Sequence, residues 1–150
     1  MQIRPISVVE QLPLVEPLLR EHWEEIALNK QLMVLKPNAE LYARLEQQGL
    51  LVSFGAFDGD ELVGYSVSIL APSHLHYADL CMASNDVLFV RQSHRGASRA
   101  GLQLIRATEQ ACRERGARLM LWHAKPNTAL VDLMPRLGYG VQDVIFSTEL

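Results

Sequence analysis

The period of the hydrophobic positions changes along the chain and divides it into strand-like and helix-like stretches. Gln2 to Ile6 is a short strand-like run, and Ser7 with Glu10 has the spacing of a capping box. Leu12, Val15, Leu19, Trp23 and Ile26 then recur at helical spacing and predict a helix to about Ile26, with Pro13 and Pro17 making its start irregular. A second helix is expected from Asn38 to Gln48, capped by Asn38 and ended by Gly49. Leu51 to Phe57 and Leu62 to Leu70 are β-rich runs joined by Asp58-Gly59-Asp60-Glu61, a hairpin signal that makes them antiparallel.

A polar stretch from Pro72 to Asn85 precedes a third apolar run, Asp86 to Arg91. From Ser98 to Arg115 the period becomes helical again, with Leu102, Ile105 and Cys112 flanked by Leu104 and Ala111, and Gly116 ends the helix. Leu119 to His123 is expected as a short buried strand containing Trp122, and Asn127 to Leu137 as a helix stopped by Gly138. Tyr139 to Leu150 is expected to supply one or two closing strands. The strand, helix, strand passage implies a parallel pair, so the fold class is α/β with a mixed sheet, and residues 1–150 are expected to form one domain.

Composition narrows the function. Hydrophobic residues make up 49% and charged residues 21%, ordinary values for a chain that folds alone. A net charge of -3 argues against nucleic acid or an anionic membrane as partner, because both demand an excess of clustered Lys and Arg. Cys81 and Cys112 are too few for a disulfide framework or a thiolate metal cluster. The start M-Q-I-R-P-I lacks the features of a signal peptide, and no apolar run has the length of a membrane span, so a cytoplasmic location is expected.

The most informative segment is V-R-Q-S-H-R-G-A-S-R-A-G, Val90 to Gly101, which joins an apolar strand to the start of a helix. Gly96, Ala97, Ser98, Ala100 and Gly101 are small enough for an anion to approach the backbone N–H groups of a helix N-terminus. Arg91, His94, Arg95 and Arg99 add positive charge around the same turn, and arginine forks suit phosphate oxygens. Such a turn can hold a pyrophosphate, or it is a solvated basic loop ahead of an ordinary helix.

This segment resembles the acetyl-CoA loop of the GNAT superfamily, V-x-P-x-Y-R-G-x-G-x-G/A, with Val90, Arg95, Gly96 and Ala100 in matching positions. It departs at Gln92, His94 and Ser98, which stand where the family has proline, tyrosine and glycine. Asn127 to Tyr139 resembles the superfamily's N-x-x-A-x-x-F-Y-x-x-x-G-F helix, with Met134 in place of its tyrosine. His22 to Leu28 and His76-Tyr77 are also similar to runs in small acetyltransferase-like proteins of phages and prophages, which would place the chain in a bacterial host cytoplasm.

The resemblance implies a mixed sheet of six to seven strands with about four helices, acetyl-CoA as co-substrate, and acyl transfer to the amine of a small molecule or protein. It also allows a homodimer. It places the CoA moiety against Leu88, Phe89, Val90, Arg95, Gly96, Ala97, Ser98, Arg99, Ala100 and Asn127. Asp86, where relatives often carry a carboxylate, is the candidate base; alternatively it caps its strand or pairs with an arginine. Backbone amides near Val90 would face the oxyanion where the fourth and fifth strands splay.

Met134 cannot donate a proton, which leaves Tyr77 and Tyr139 as candidate acids, and Pro135 is expected to disturb their helix. His22, Glu25, His76 and Tyr77 are candidate acceptor contacts, with a solvated helix face as the alternative for His22 to Glu25 and a core role for Trp23. No His or Cys spacing supports a metal. The rival to an enzyme is a CoA-binding module without turnover that acts as an interaction protein in a phage or bacterial assembly.

Overall fold

The computed structural model describes residues 1–96 and 99–150. Its elements run β1 (Gln2–Pro5), α1 (Leu12–Ile26), α2 (Ala39–Gln47), β2 (Leu51–Asp58), β3 (Glu61–Ala71), β4 (Met82–Val90), a 3-10 turn (Gln92–His94), α3 (Ala100–Glu114), β5 (Leu119–Leu121) and α4 (Ala129–Arg136). The strands form one sheet in the order β1-β2-β3-β4-β5, antiparallel except for the parallel β4–β5 pair.

The sheet has five strands among the described residues, not six to seven. Residues 140–150 pair with nothing, and β5 covers three residues at a half-buried edge rather than a buried run to His123. An edge strand has a neighbour on one side only, so Trp122 and Leu121 stay half-buried.

Apolar side chains on the two faces of the sheet make two cores. On one face Val15, Leu18 and Leu19 of α1 pack with Leu51, Phe57, Tyr65, Val67, Val87 and Phe89, and Tyr42 and Leu45 of α2 lie against them. On the other face Ala100 and Leu104 of α3 meet Ala56, Val63 and Val90, while Cys112 meets Val52, Leu70 and Ala83. The buried hydroxyls of Ser66 and Thr108, 2.8 Å apart, pair across that second interface and satisfy each other.

The helix ends follow the chemistry of their caps. Asn38 Oδ1 accepts the Leu41 N–H at 3.0 Å, and Gly49 (φ +69) and Gly116 (φ +93) take the left-handed turns that end α2 and α3. The Ser7–Glu10 box is put to another use. Ser7 Oγ accepts from the Glu10 N–H at 3.2 Å but donates to Glu46 at 2.8 Å, and α1 begins only at Leu12. Ser7 therefore ties α2 to the start of the chain, and Glu46 also accepts the Val8 N–H at 2.8 Å.

Trp23 is half-buried rather than in the core, because its indole N–H reaches the Met33 carbonyl at 2.7 Å. Pro135 does not break α4, which runs on to Arg136. It stands in the last turn, where few further intrahelical bonds depend on it.

Candidate active site

Two irregularities in β4 set the site. The β3–β4 register passes from Val67↔Val87 to Ser68↔Asn85, which leaves Asp86 as the extra residue of a β-bulge. The bulge flips the side-chain alternation. Ala83, before it, packs toward α3, whereas Val87 and Phe89, after it, pack toward α1 and α2. Asp86 is turned to the α1/α2 face, within electrostatic reach of Tyr42 and Tyr65.

The second irregularity is the end of pairing with β5, whose ladder stops at Ser84↔Leu121. Asn85 then replaces the ladder with its side chain. Its Oδ1 accepts the His123 N–H and its Nδ2 donates to the His123 carbonyl at 3.2 Å. A buried amide that satisfies both groups of one peptide unit ends the pairing without orphaning a donor. From Asp86 to Val90 the strand keeps β3 on one edge and has no strand on the other.

The open half of β4 runs into the basic turn. The Val90 carbonyl accepts the Arg95 Nε–H at 2.7 Å, and the Arg95 guanidinium lies 5.3 Å from the Phe89 ring centre. Its two remaining nitrogens grip Glu25 of α1 bidentately at 2.8 and 2.7 Å. Arg91 bonds Glu21 at 2.9 to 3.2 Å and also pairs with Glu61 of β3. Gly96 takes φ +81 with no atom near the place of a Cβ, so its backbone is open to approach. Arg99 follows at the N-cap of α3 in the left-handed region (φ 53), and Gly101 lies 3.9 Å from Val90 by its notional Cβ. Ala97 and Ser98 lie outside the described residues.

Glu21, Glu24 and Glu25 of α1 face Phe89, Arg91, Gln92 and Arg95 across one concavity. His22 stacks on Phe89 with ring centres 5.0 Å apart, so it belongs to this wall rather than to a solvated face. Burial lowers the His22 pKa against the opposing pull of Glu25, with Arg95 and Lys125 adding to the lowering. The imidazole is therefore neutral at pH 7, and the attraction of this wall for a cation comes from its carboxylates. Asp86 is reachable by solvent, yet enough protein surrounds its carboxyl for desolvation to raise its pKa. The Arg95 fork holds the Glu25 carboxyl below its usual range.

The expected site residues divide into two groups. Asp86, Leu88, Phe89, Val90, Arg95, Gly96, Arg99 and Ala100 follow one another along β4, the turn and α3, with His22 and Glu25 brought to them by α1. Ala100 is buried, so only its backbone can meet a ligand. Asn127 is exposed in the turn before α4 with φ 61. His76 and Tyr77 are apart from the rest, in the exposed β3–β4 loop at the Met82 end of β4. Eight strand steps, roughly 26 Å, separate that end from Val90.

Tyr139 donates to Glu109 at 2.6 Å, and burial with this partner pushes its pKa up to about 12. It is a strut rather than an acid. Glu109 Oε1 also accepts the Trp122 indole N–H at 2.9 Å. Met134 is buried. Sequence reasoning missed Asn85 and Tyr42. A lone Asn in a strand and a Tyr on a helix stripe carry no signal of their own, and their roles depend on what the fold sets opposite them.

Among the described residues no cluster of three His, Cys, Asp or Glu could hold a metal, and no helix is long and apolar enough to cross a membrane. A comparison with curated proteins gives no match by sequence. Solved structures share the fold. An aminoglycoside acetyltransferase from an uncultured soil metagenomic sample, in complex with sisomicin, superposes at TM-score 0.75 with 19% identity over 99% of this chain and 95% of that one. A ribosomal-protein-alanine N-acetyltransferase from Brucella melitensis biovar Abortus 2308 gives 0.74 and 17% over 100% of both chains. The tetramutant of the BH1408 protein from Bacillus halodurans gives 0.77 and 17%, again over 100% of both. The sequence profile described as Acetyltransferase (GNAT) family matches residues 15–139, most of the length and every element from α1 to α4, and the chain therefore belongs to that family.

Proposed function

We propose that the protein transfers an acetyl or short acyl group from acetyl-CoA to an amine. The observation that carries this reading is the open half of β4, which has a bulged carboxylate at one end and an arginine-glycine turn at the other. Backbone groups without a strand partner beside Val90 suit the amide-rich pantetheine arm, and the turn into α3 suits its diphosphate. Arg95 would exchange Glu25 and the Val90 carbonyl for phosphate oxygens.

The amine nitrogen attacks the thioester carbonyl carbon, forming a C–N bond, and the tetrahedral intermediate collapses with loss of the CoA thiolate. Asp86, directly or through water, takes the proton that the amine sheds. Its raised pKa brings it nearer to the range in which a carboxylate is an effective base. An ordinary thiol has a pKa of about 8.5, so the thiolate leaves without a protein acid and takes its proton from solvent. This accommodates Met134 where relatives present a tyrosine.

The wall of Glu21, Glu24 and Glu25 favours a cationic acceptor. Two structural neighbours are described as an aminoglycoside acetyltransferase and a ribosomal-protein-alanine N-acetyltransferase, acceptors of very different size that both offer an amine. The likeness to phage-encoded proteins rests on the His22 to Leu28 and His76-Tyr77 runs alone.

The test follows free thiol released from acetyl-CoA in the presence of sisomicin, a polyamine and an alanine-terminated peptide. Release that requires an amine and is lost in Asp86→Ala supports the reading. Tight CoA binding without release from any amine overturns it in favour of a binding module.

A further inference from the structure

The two outer edges of the sheet are protected very differently. β1 is four residues long, its Arg4 guanidinium lies 3.8 Å from the Phe57 ring centre, and Pro5 offers no N–H to a further strand. β5 is Leu119-Met120-Leu121, with neither charge nor proline, and Leu119 is 37% exposed. A bare apolar edge of this kind is a template for another strand.

The chain carries a segment fitted to such an edge. Residues 140–150 form no helix or strand, yet Val141, Val144, Ile145, Phe146 and Leu150 hold their side chains 71% to 115% exposed. These are residues of high β-propensity, and soluble chains do not ordinarily leave so many large apolar groups together in water. The segment starts beside β5, because Tyr139 and Trp122 share Glu109 Oε1. Asp143 and Glu149 give it acidic character, while Arg118 and Lys125 flank β5. Although the root is so close, the segment does not turn back along its own edge in the single chain.

We propose that residues 140–150 of one copy add as a strand to the β5 edge of a second copy, reciprocally about a two-fold axis. One symmetric contact then covers both edges and both apolar segments. Two such segments bury on the order of 1,000 Å², the size at which specific interfaces begin. This inference rests on the sheet edge and is independent of the acyl-transfer reading.

Sedimentation of the full chain, with hydrogen exchange of residues 141–149 at two protein concentrations, tests it. The expected result is a mass of twice 16.9 kDa, with amide protection in this segment and in β5 that disappears together with the dimer on dilution. Phe146→Asp should give the monomer mass and fast exchange; Phe146 is 90% exposed, so the monomer fold should survive the change. A monomer at every concentration overturns the proposal. So does a dimer in which 141–149 exchanges freely, or protection that ignores dilution, which would mean pairing within one chain.

Discussion

The two halves of β4 share a strand and differ in their neighbours. The first half, Met82 to Ser84, is held by β3 on one edge and β5 on the other. The second half, Asp86 to Val90, has β3 alone, and Asn85 stands at the boundary. The doubly paired half is scaffold, with Ala83 in the α3-side core, whereas the singly paired half carries the bulged carboxylate and leads into the basic turn. One residue that trades ladder bonds for side-chain bonds is enough to separate these roles.

The largest expected effect lies at the bulge. Asp86→Ala should lower kcat by about 10²- to 10⁴-fold, the usual worth of a general base, with little change in KM for acetyl-CoA, as steady-state kinetics would show. Its stability should move the opposite way. Desolvation raises the Asp86 pKa above 3.8, so its contribution to stability is fully present below 3.8 and is lost as pH rises through the folded value. Asp86→Asn should therefore be the more stable protein at neutral pH, with the gap closing below pH 3.8, a trend that urea titrations across pH would reveal.

The boundary comes next. Asn85→Ala leaves both polar groups of the His123 peptide unpaired, at a cost of about 2–3 kcal/mol in urea unfolding. A smaller loss would mean that β5 zips onward along β4, and activity should then fall as the open half closes.

A smaller effect comes from the salt bridge that spans the cleft. Glu25→Gln removes the partner that Arg95 must leave, so CoA should bind about two- to fivefold tighter by calorimetry, in line with the ~0.5–1 kcal/mol of an exposed pair. The smallest belongs to Tyr65, a fully buried phenol whose hydroxyl has no hydrogen-bond partner among the described residues. Tyr65→Phe should alter stability by no more than about 0.5 kcal/mol, because no bond is lost.

Much of this architecture is legible in the sequence where the cause is local. The helical stripes, the Asn38 cap, the glycine stops and the Asp58–Glu61 hairpin rest on neighbours a few residues apart, and the structure keeps all of them. The basic turn is legible too, since small and cationic residues cluster there by spacing alone. What escapes depends on distant partners. Arg95 and Glu25 are 70 residues apart, and nothing in either run announces that they meet. The bulge exists only relative to β3, so a count along β4 cannot show that Asp86 is the extra residue. Residues 139–150 have the composition of a strand, but a strand forms only where an edge receives it, and in the single chain none does. His76 and Tyr77 are a motif by adjacency, and topology sets them at the far end of β4.

Isothermal titration of CoA into the wild-type protein and Arg95→Glu tests the central claim most directly. The account predicts saturable heat for the wild type and at least about tenfold weaker binding once the charge is reversed, a change of about 1.4 kcal/mol or more. No heat at millimolar CoA, or equal affinity in the two proteins, would contradict it.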